Sequence, residues 1–347
     1  VQHDALDAAT KGFEDAITEK MGDSVKFDEQ NAQGDSNTCS TIITDFVSDN
    51  VDLILANATP ALQAAAAGTS DIPILGTSVT EYGVALGLDD FNGTVGGNIS
   101  GTADLAPLDQ QAAMLNELFP DAKNVGILYC SAEPNSAYQS QTIQGYLKDY
   151  GYECTEYTFA DSNDIASVVN NAIATSDVLY IPTDNTAASN TTIIQNICQP
   201  AGIPIITGEE GICSGCGVAT LSISYYDLGY KTGEMAYEIL VNGADVSQTA
   251  VEFAPNVTKK YNIAKPTIQF IIHSLYFALS FAVELIIIFI PVYINTDKNP
   301  TVAINLNALY QLANACLTTP SPSACPTPEI KSIFNNPTFP ANISSQL

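Results

Sequence analysis

Ala-Asn-Ala-Thr-Pro-Ala-Leu-Gln, residues 56–63, follows directly on the apolar run Val51–Ala56. Further along, Ile-Pro-Thr-Asp-Asn-Thr (residues 181–186) follows the apolar run Val178–Ile181 in the same manner. A short continuous apolar run reads as a strand buried on both faces. In both places it empties into Thr, Asn or Asp and then opens a helix. In an open α/β sheet the carboxyl ends of strands are where ligands bind. Two such places, one in each half of the chain, predict a two-lobed protein that holds a small molecule in a cleft.

The rest of the chain keeps the same alternation. Residues 4–21 place Leu6, Ala9, Phe13, Ala16, Ile17 and Met21 at helical spacing. Strands are expected at Ser24–Asp28, Val51–Ala56, Ile72–Gly76, Asn124–Tyr129, Glu153–Phe159, Val178–Ile181, Ile203–Thr207 and Val218–Ile223. Helices are expected at Ser36–Asp49, Pro60–Ala67, Leu108–Leu118, Ser136–Tyr150, Asn163–Ala174, Asn185–Cys198 and Asp227–Asn242. Strands alternating with helices predict parallel sheets covered on both faces, an α/β fold of two Rossmann-like lobes. The stretch from Asn92 to Thr102 is Gly-rich and reads as a crossover rather than sheet interior. Further crossings are expected near Ser222–Ser224 and Phe253–Val257. The expected lobes are therefore residues 1–101 with 225–253, and residues 102–224 with 254–262. Residues 263–297 form an apolar segment, and 298–347 an irregular tail rich in Pro and Ser around Thr318–Pro328.

Composition excludes several functions. The net charge is −27 and the chain contains no Arg, so a phosphate-binding surface for nucleic acid is not available. The acidity suits a self-repelling surface outside the cytoplasm. Eight Cys in 347 residues are too few for a disulfide scaffold. The Cys213-Ser-Gly-Cys216 spacing lacks a second Cys pair, and the two His, His3 and His273, lie far off, so no metal site is expected. It reads as a local disulfide or loop thiols, with Cys316 and Cys325 able to pair in the tail. No cofactor is expected. The run Ile268–Ile294 is long enough to span a bilayer, but Lys259, Lys260 and Lys265 flank it on the side of the globular part, against the usual positive-inside polarity. Membrane insertion through 268–294 and a non-inserted apolar tail both stay open.

Seven successive stretches carry a resemblance: ANATPALQAAAA (56–67), IPILGTSVTEYG (72–83), GNISGTADLAPLDQQ (97–111), LYCSAEPNSAYQ (128–139), YIPTDNTAAS (180–189), GEEGICSGCG (208–217) and SISYYDLGYKTGEMAYEIL (222–240). In this order they resemble the ABC-transporter substrate-binding proteins of the tryptophan/tyrosine type, over residues 2–262. The resemblance implies the type I periplasmic-binding-protein fold, and an extracytoplasmic receptor, at the cell surface or in the periplasm, that hands an aromatic or related amino acid to ABC permease subunits. It also implies a strand ending just ahead of Val1, central in the first sheet, with a removable signal peptide before it. After Asn262 the family continues into a short helical ending, whereas this chain passes into the apolar run.

With no Arg available, an amino-acid carboxylate must be held by backbone N–H groups at a helix start and by hydroxyls. Thr59, Thr77, Ser78, Ser100 and Thr102 are the candidates. An ammonium needs acceptors, and Asp184, with Asn185 beside it, and Glu209 follow strand ends in the second lobe. Asn135 and Ser136 are placed to orient the ligand, and Tyr226 and Asp227 to line the rim. Thr59, Asn135 and Asp184 are equally the residues expected at helix N-caps. No catalytic set is expected, because two distant His cannot supply a Ser-His-acid arrangement. Two other readings stay open: a membrane-tethered sensor and, more remotely, a hydrolase using Asp184 and Glu209.

Overall fold

The computed structural model describes residues 3–254 and 256–262. The apolar run 268–294, the tail, His273, Cys316 and Cys325 lie outside the described residues. Among the described residues no helix is long and apolar enough to cross a membrane.

In the first lobe, α1 (Asp4–Met21) and α2 (Ser36–Ser48) precede β1 (Ile54–Asn57), α3 (Thr59–Gly68), β2 (Ile74–Val79), α4 (Tyr82–Leu86) and β3 (Ile99–Ala103). The chain then crosses to the second lobe. This contains α5 (Leu108–Leu118), β4 (Asn124–Cys130), α6 (Pro134–Asp149), β5 (Glu153–Phe159) and α7 (Ile165–Ile173). It continues with β6 (Val178–Ile181), α8 (Asn185–Ser189), α9 (Thr191–Ala201), β7 (Ile205–Thr207), α10 (Glu210–Gly215) and β8 (Ala219–Ile223). Helix α11 (Tyr225–Leu240) and β9 (Glu252–Phe253) return to the first lobe, and β10 (Val257–Tyr261) ends in the second.

The first sheet runs β1-β2-β3-β9, all parallel. The second runs β10-β8-β7-β6-β4-β5, parallel except for β10. Strand β5 lies on one side of β4 and β6 on the other. The winding direction therefore reverses between β4 and β6, and the loops after these two strands flank the crevice where α/β sheets bind ligands.

Apolar faces explain the layers. Val125, Ile127, Val178, Tyr180 and Ile206 pack under α5 and α6. Leu128, Leu179, Ile181 and Ile205 pack under α7 and α9 from the opposite face. Every residue of β6 is buried, as a doubly covered strand requires. Each buried Leu, Ile or Val contributes roughly 1.5–3 kcal/mol of transfer free energy. Helices α1 and α11 cross at backbone contact on Gly12 and Gly229: a Cβ at Gly229 would lie 1.8 Å from the Ala9 carbonyl oxygen.

Four expectations are corrected. The Gly-rich stretch before Thr102 is not all crossover, since β3 occupies Ile99–Ala103 inside the first sheet, between β2 and β9. The crossing starts at Asp104. Gly76 and Gly101 are register partners there, and the Tyr82 ring lies against both, with its hydroxyl donating to Thr102 O at 3.1 Å. Residues 24–28 form no strand: Val25 and Phe27 pack against the cluster of Phe13, Ile17 and Leu75, but β1 has a ladder partner only in β2 among the described residues. The helix expected over 185–198 breaks at Asn190 into α8 and α9, with Asn190 ending one helix and starting the next. The Cys213–Cys216 motif is not in a loop either; Cys213 lies in α10 and Cys216 caps it, both buried.

Candidate ligand-binding cleft

The first lobe's side of the cleft begins with two residues in an uncommon backbone conformation. Ala58, between β1 and α3, has φ +84, and Ser78, at the end of β2, has φ +55. Non-Gly residues in the left-handed region are strained and concentrate at functional sites. The Ala58 amide donates to Thr77 O at 2.9 Å, which sets the start of α3 against the end of β2. Thr59 opens α3 as its first residue and is buried. The Ser78 hydroxyl is buried beside this helix start and has no hydrogen-bond partner. The other three hydroxyls proposed for a ligand carboxylate work inside the lobe. Thr77 Oγ1 lies 3.3 Å from Thr102 Oγ1, which pairs with Thr232 Oγ1 at 2.8 Å and so ties β2 and β3 to α11. Ser100 Oγ donates to Thr249 O at 2.8 Å and fastens the segment before β9.

Across the cleft, Asp184 is a knot. It caps α8 through Ala187 N–H at 2.7 Å, accepts from Cys130 N–H at 2.7 Å, and accepts from Ser136 Oγ at 2.8 Å. These bonds tie the loops after β4 and β6 together. Burial pushes the Asp184 carboxyl up to about 7, with the neighbouring Glu133 adding to the rise. Glu133 itself accepts from Asn185 N (2.9 Å), Asn185 Nδ2 (2.8 Å), Thr186 N (2.8 Å) and Thr186 Oγ1 (2.7 Å). Asn135 Nδ2 donates to Thr183 O at 3.1 Å, leaving its buried Oδ1 without a partner.

His3, at the start of α1, reaches across and places Nε2 3.2 Å from Asn185 Oδ1. Asn185 Nδ2 is committed to Glu133, so its Oδ1 accepts and His3 carries the proton on Nε2. His3 Nδ1 is then a buried acceptor with no partner. Burial holds the His3 pKa below its ordinary value, which favours this neutral form.

Glu209 caps α10 with both oxygens, accepting from Gly211 N at 2.6 Å and from Ile212 N. Burial pushes it, too, up to about 7. Asp104, the first residue of the crossing, is 3% exposed and accepts from Tyr225 Oη at 2.8 Å through Oδ2, while its Oδ1 has no partner. Burial raises the Asp104 pKa, partly offset by the Tyr225 and Thr80 hydroxyls. Tyr226 and Asp227, expected at the rim, are both exposed residues in the first turn of α11. Tyr226 is 39% exposed, with its hydroxyl 3.0 Å from Asp15 Oδ2 on α1. Helical geometry turns these two outward and Tyr225 inward.

Four buried carboxylates thus sit at strand ends, and among the described residues none is in an ion pair with Lys. The raised values of Asp184 and Glu209 have a consequence for stability. An unfolded carboxyl titrates near 4 and these near 7, so the folded state holds extra protons between those values. Stability is fully present below about pH 4 for these groups and is lost as pH rises toward 7. The melting temperature should therefore fall by several degrees from about pH 5 to about pH 8. Glu209→Gln should flatten part of that slope in a thermal-melt series; an unchanged slope in the variant would contradict the assignment.

The cleft is bridged at its edge where α4 meets α6. An open hollow of about 370 Å³ lies there, lined by Glu81, Val84, Leu88, Asp89, Phe91 and Tyr138 among others. Among the described residues no cluster of His, Cys, Asp and Glu has the makings of a metal site. The sequence reading overlooked Asp104, Glu133 and the acceptor role of His3. Asp104 directly follows β3 and Glu133 lies three residues past β4, near strand ends as Asp184 and Glu209 do.

The family model for ABC transporter substrate binding proteins matches residues 1–268. The chain belongs to that family. It is 41% identical over 243 residues to a tyrosine-binding protein of Clostridioides difficile (strain R20291), across 69% of this chain and 70% of the relative. A Streptococcus pneumonia ABC domain in complex with L-Trp matches with TM-score 0.71 at 31% identity, covering 75% of this chain and 88% of that one. A ligand-free, open substrate-binding protein with adhesive properties from Clostridium difficile matches with TM-score 0.60 at 38% identity, covering 76% and 90%. Of these two structures, the Trp-bound one is nearer in shape and the open one nearer in sequence. Weaker likenesses at 14% identity or below, such as a leucine-binding protein of Thermotoga maritima at TM-score 0.56, share the fold of two α/β lobes.

Proposed function

We propose that this chain captures an aromatic α-amino acid, tyrosine or tryptophan, between its two lobes and presents it to an ABC permease outside the cytoplasm. One observation carries the reading. Among the described residues, the buried side-chain N and O atoms without hydrogen-bond partners are Asn57 Oδ1, Ser78 Oγ, Asp104 Oδ1, Asn135 Oδ1 and His3 Nδ1. Native proteins leave few such atoms orphaned, because each costs about 1–3 kcal/mol. Asn57, Ser78 and Asp104 stand at the ends of β1, β2 and β3, Asn135 in the first turn of α6, and His3 at the start of α1. Four of the five are acceptors, so the missing partner brings donors. An α-ammonium supplies three N–H groups, and a phenol or indole one more. The Ser78 hydroxyl, next to the first turn of α3, is the one orphan able to donate to a carboxylate.

The ligands named for two relatives, tyrosine and L-Trp, fit this donor count. The buried carboxylates favour a ligand carrying positive charge, since an unpaired buried charge is heavily penalised. Catalysis is not part of the proposal. Asp184 and Glu209 spend every oxygen on N–H or hydroxyl donors, which supports structural roles over acid–base work.

Thermal-shift screening against the common amino acids tests the reading. A ligand that binds only the folded state stabilises it by about 2.7 kcal/mol at a hundredfold excess over Kd. Tyrosine or tryptophan should raise the melting temperature, while aspartate and glutamate should not. A shift confined to acidic or aliphatic amino acids would contradict the proposal.

A further inference from the structure

The geometry points to Asp104 as the residue that selects the ligand's α-ammonium, through the carboxylate oxygen Oδ1 that the protein leaves without a partner. This rests on the reading that the cleft takes an aromatic α-amino acid, and it names the group that distinguishes an amino acid from the matching aromatic acid.

Four carboxylates line the strand ends, and their bonding separates them. Glu133 holds four donors of α8, Asp184 holds three donors, and Glu209 uses both oxygens on the amides of α10. Each is consumed in fixing a helix start. Of the four, Asp104 alone combines nearly complete burial with an oxygen, Oδ1, that makes no hydrogen bond. Its place in the fold suits the task. It is the first residue of the first crossing between lobes, and Tyr225, which holds its other oxygen at 2.8 Å, directly follows the second crossing. The Tyr225 hydroxyl also interacts with Thr183, in the second lobe's loop after β6. Through the first sheet, the Asp104 amide donates to Val79 O at 3.2 Å, next to Ser78. Asp104 therefore stands between the orphan hydroxyl of Ser78 on one lobe and the Thr183–Asn135 loop pair on the other. The groups surrounding it are Thr80, Tyr82, Tyr225 and the acidic Glu209, with no cation among them. Burial raises the Asp104 pKa, so a charged Asp104 gains from a positively charged partner at its free oxygen.

The test compares L-tyrosine with its des-amino analogue, which keeps the ring and the carboxylate but lacks the ammonium, by isothermal titration calorimetry. The wild-type chain should bind L-tyrosine at least about tenfold tighter than the analogue. Asp104→Asn, which keeps the shape and one acceptor but removes the charge, should weaken L-tyrosine by roughly 10- to 100-fold and leave the analogue unchanged or tighter. Equal weakening of both ligands would overturn the assignment and make Asp104 a packing residue. Equal wild-type affinities for the two would overturn it without any variant, which covers the case in which Asp104→Asn fails to fold. Wild-type binding to neither, with aliphatic amino acids bound instead, would overturn the aromatic reading rather than the role of Asp104; the same comparison with the aliphatic ligand and its des-amino form then decides that role.

Discussion

Replacing Glu133 with Ala is expected to abolish ligand capture and to lower the melting temperature by about 10 °C. Glu133 follows β4 and reaches across the switch point of the second sheet to the start of α8. There it accepts from the amides of Asn185 and Thr186 and from both their side chains, at 2.7–2.9 Å. Hydrogen bonds to a charged group contribute about 1.5–3 kcal/mol each, and their losses are not additive. Leaving these donors unpaired in a buried site should cost about 3–5 kcal/mol, and a domain of this size loses roughly 2–4 °C per kcal/mol. The effect on binding follows from Asn185, which also meets His3 of the first lobe at 3.2 Å. Freed from Glu133, Asn185 no longer presents Oδ1 to His3, and the contact between lobes is lost. Glu133→Gln keeps one acceptor oxygen but turns an NH₂ toward two donors, so it should fall between the parent and the Ala variant. A melting curve for Glu133→Ala within about 2 °C of the parent would show that this node contributes little.

Gly101→Ala should be comparably severe, for steric reasons. Gly101 has φ +145, and an added Cβ would lie 2.1 Å from Gly76 O, 2.5 Å from Gly76 N and 2.4 Å from the Tyr82 hydroxyl. Two of the three neighbours are backbone, so β2 and β3 must separate. A loss of at least about 3 kcal/mol is expected, with much of the soluble yield. The strain falls where the register between β2 and β3 shifts, between Gly76 and Val79, and this shift sets the backbone of Ser78. Any Gly101→Ala protein that folds should therefore bind ligand poorly. Gly145→Ala is the control. Gly145 lies within α6 with open space around its Cβ, so Ala there should be neutral or stabilising by up to about 1 kcal/mol. Similar losses from both variants would contradict the steric account.

These residues also show how far the sequence could be read. Parallel strands buried on both faces write themselves as apolar runs, so β4 and β6 were legible almost to the residue. Strand β3 was not. Its sequence, Ile-Ser-Gly-Thr-Ala, has two hydroxyls and a glycine, and their fit is visible only when Thr77, Thr232 and Thr249 are beside them. The strand ends were legible as a set, but not the division of labour among them. A carboxylate that caps a helix and one that waits for a ligand are the same residue in the same place. Asp184 and Glu209 proved to be committed to backbone amides, and Asp104, in a crossing without periodicity, proved to have the uncommitted oxygen. Tyr225 and Tyr226 are neighbours in sequence, yet the helix sends one to Asp104 and the other to Asp15.

The chain contains no Trp, so added L-tryptophan can be excited beyond the tyrosine band as the sole emitter. Fluorescence anisotropy of L-tryptophan titrated with the folded protein is thus the most direct measurement of the cleft's occupancy. The anisotropy should rise to saturation at one ligand per chain and fall back when unlabelled L-tyrosine is added. Anisotropy that stays at the value of free tryptophan, at protein concentrations where circular dichroism shows the α/β fold intact, would contradict aromatic amino-acid capture by this chain.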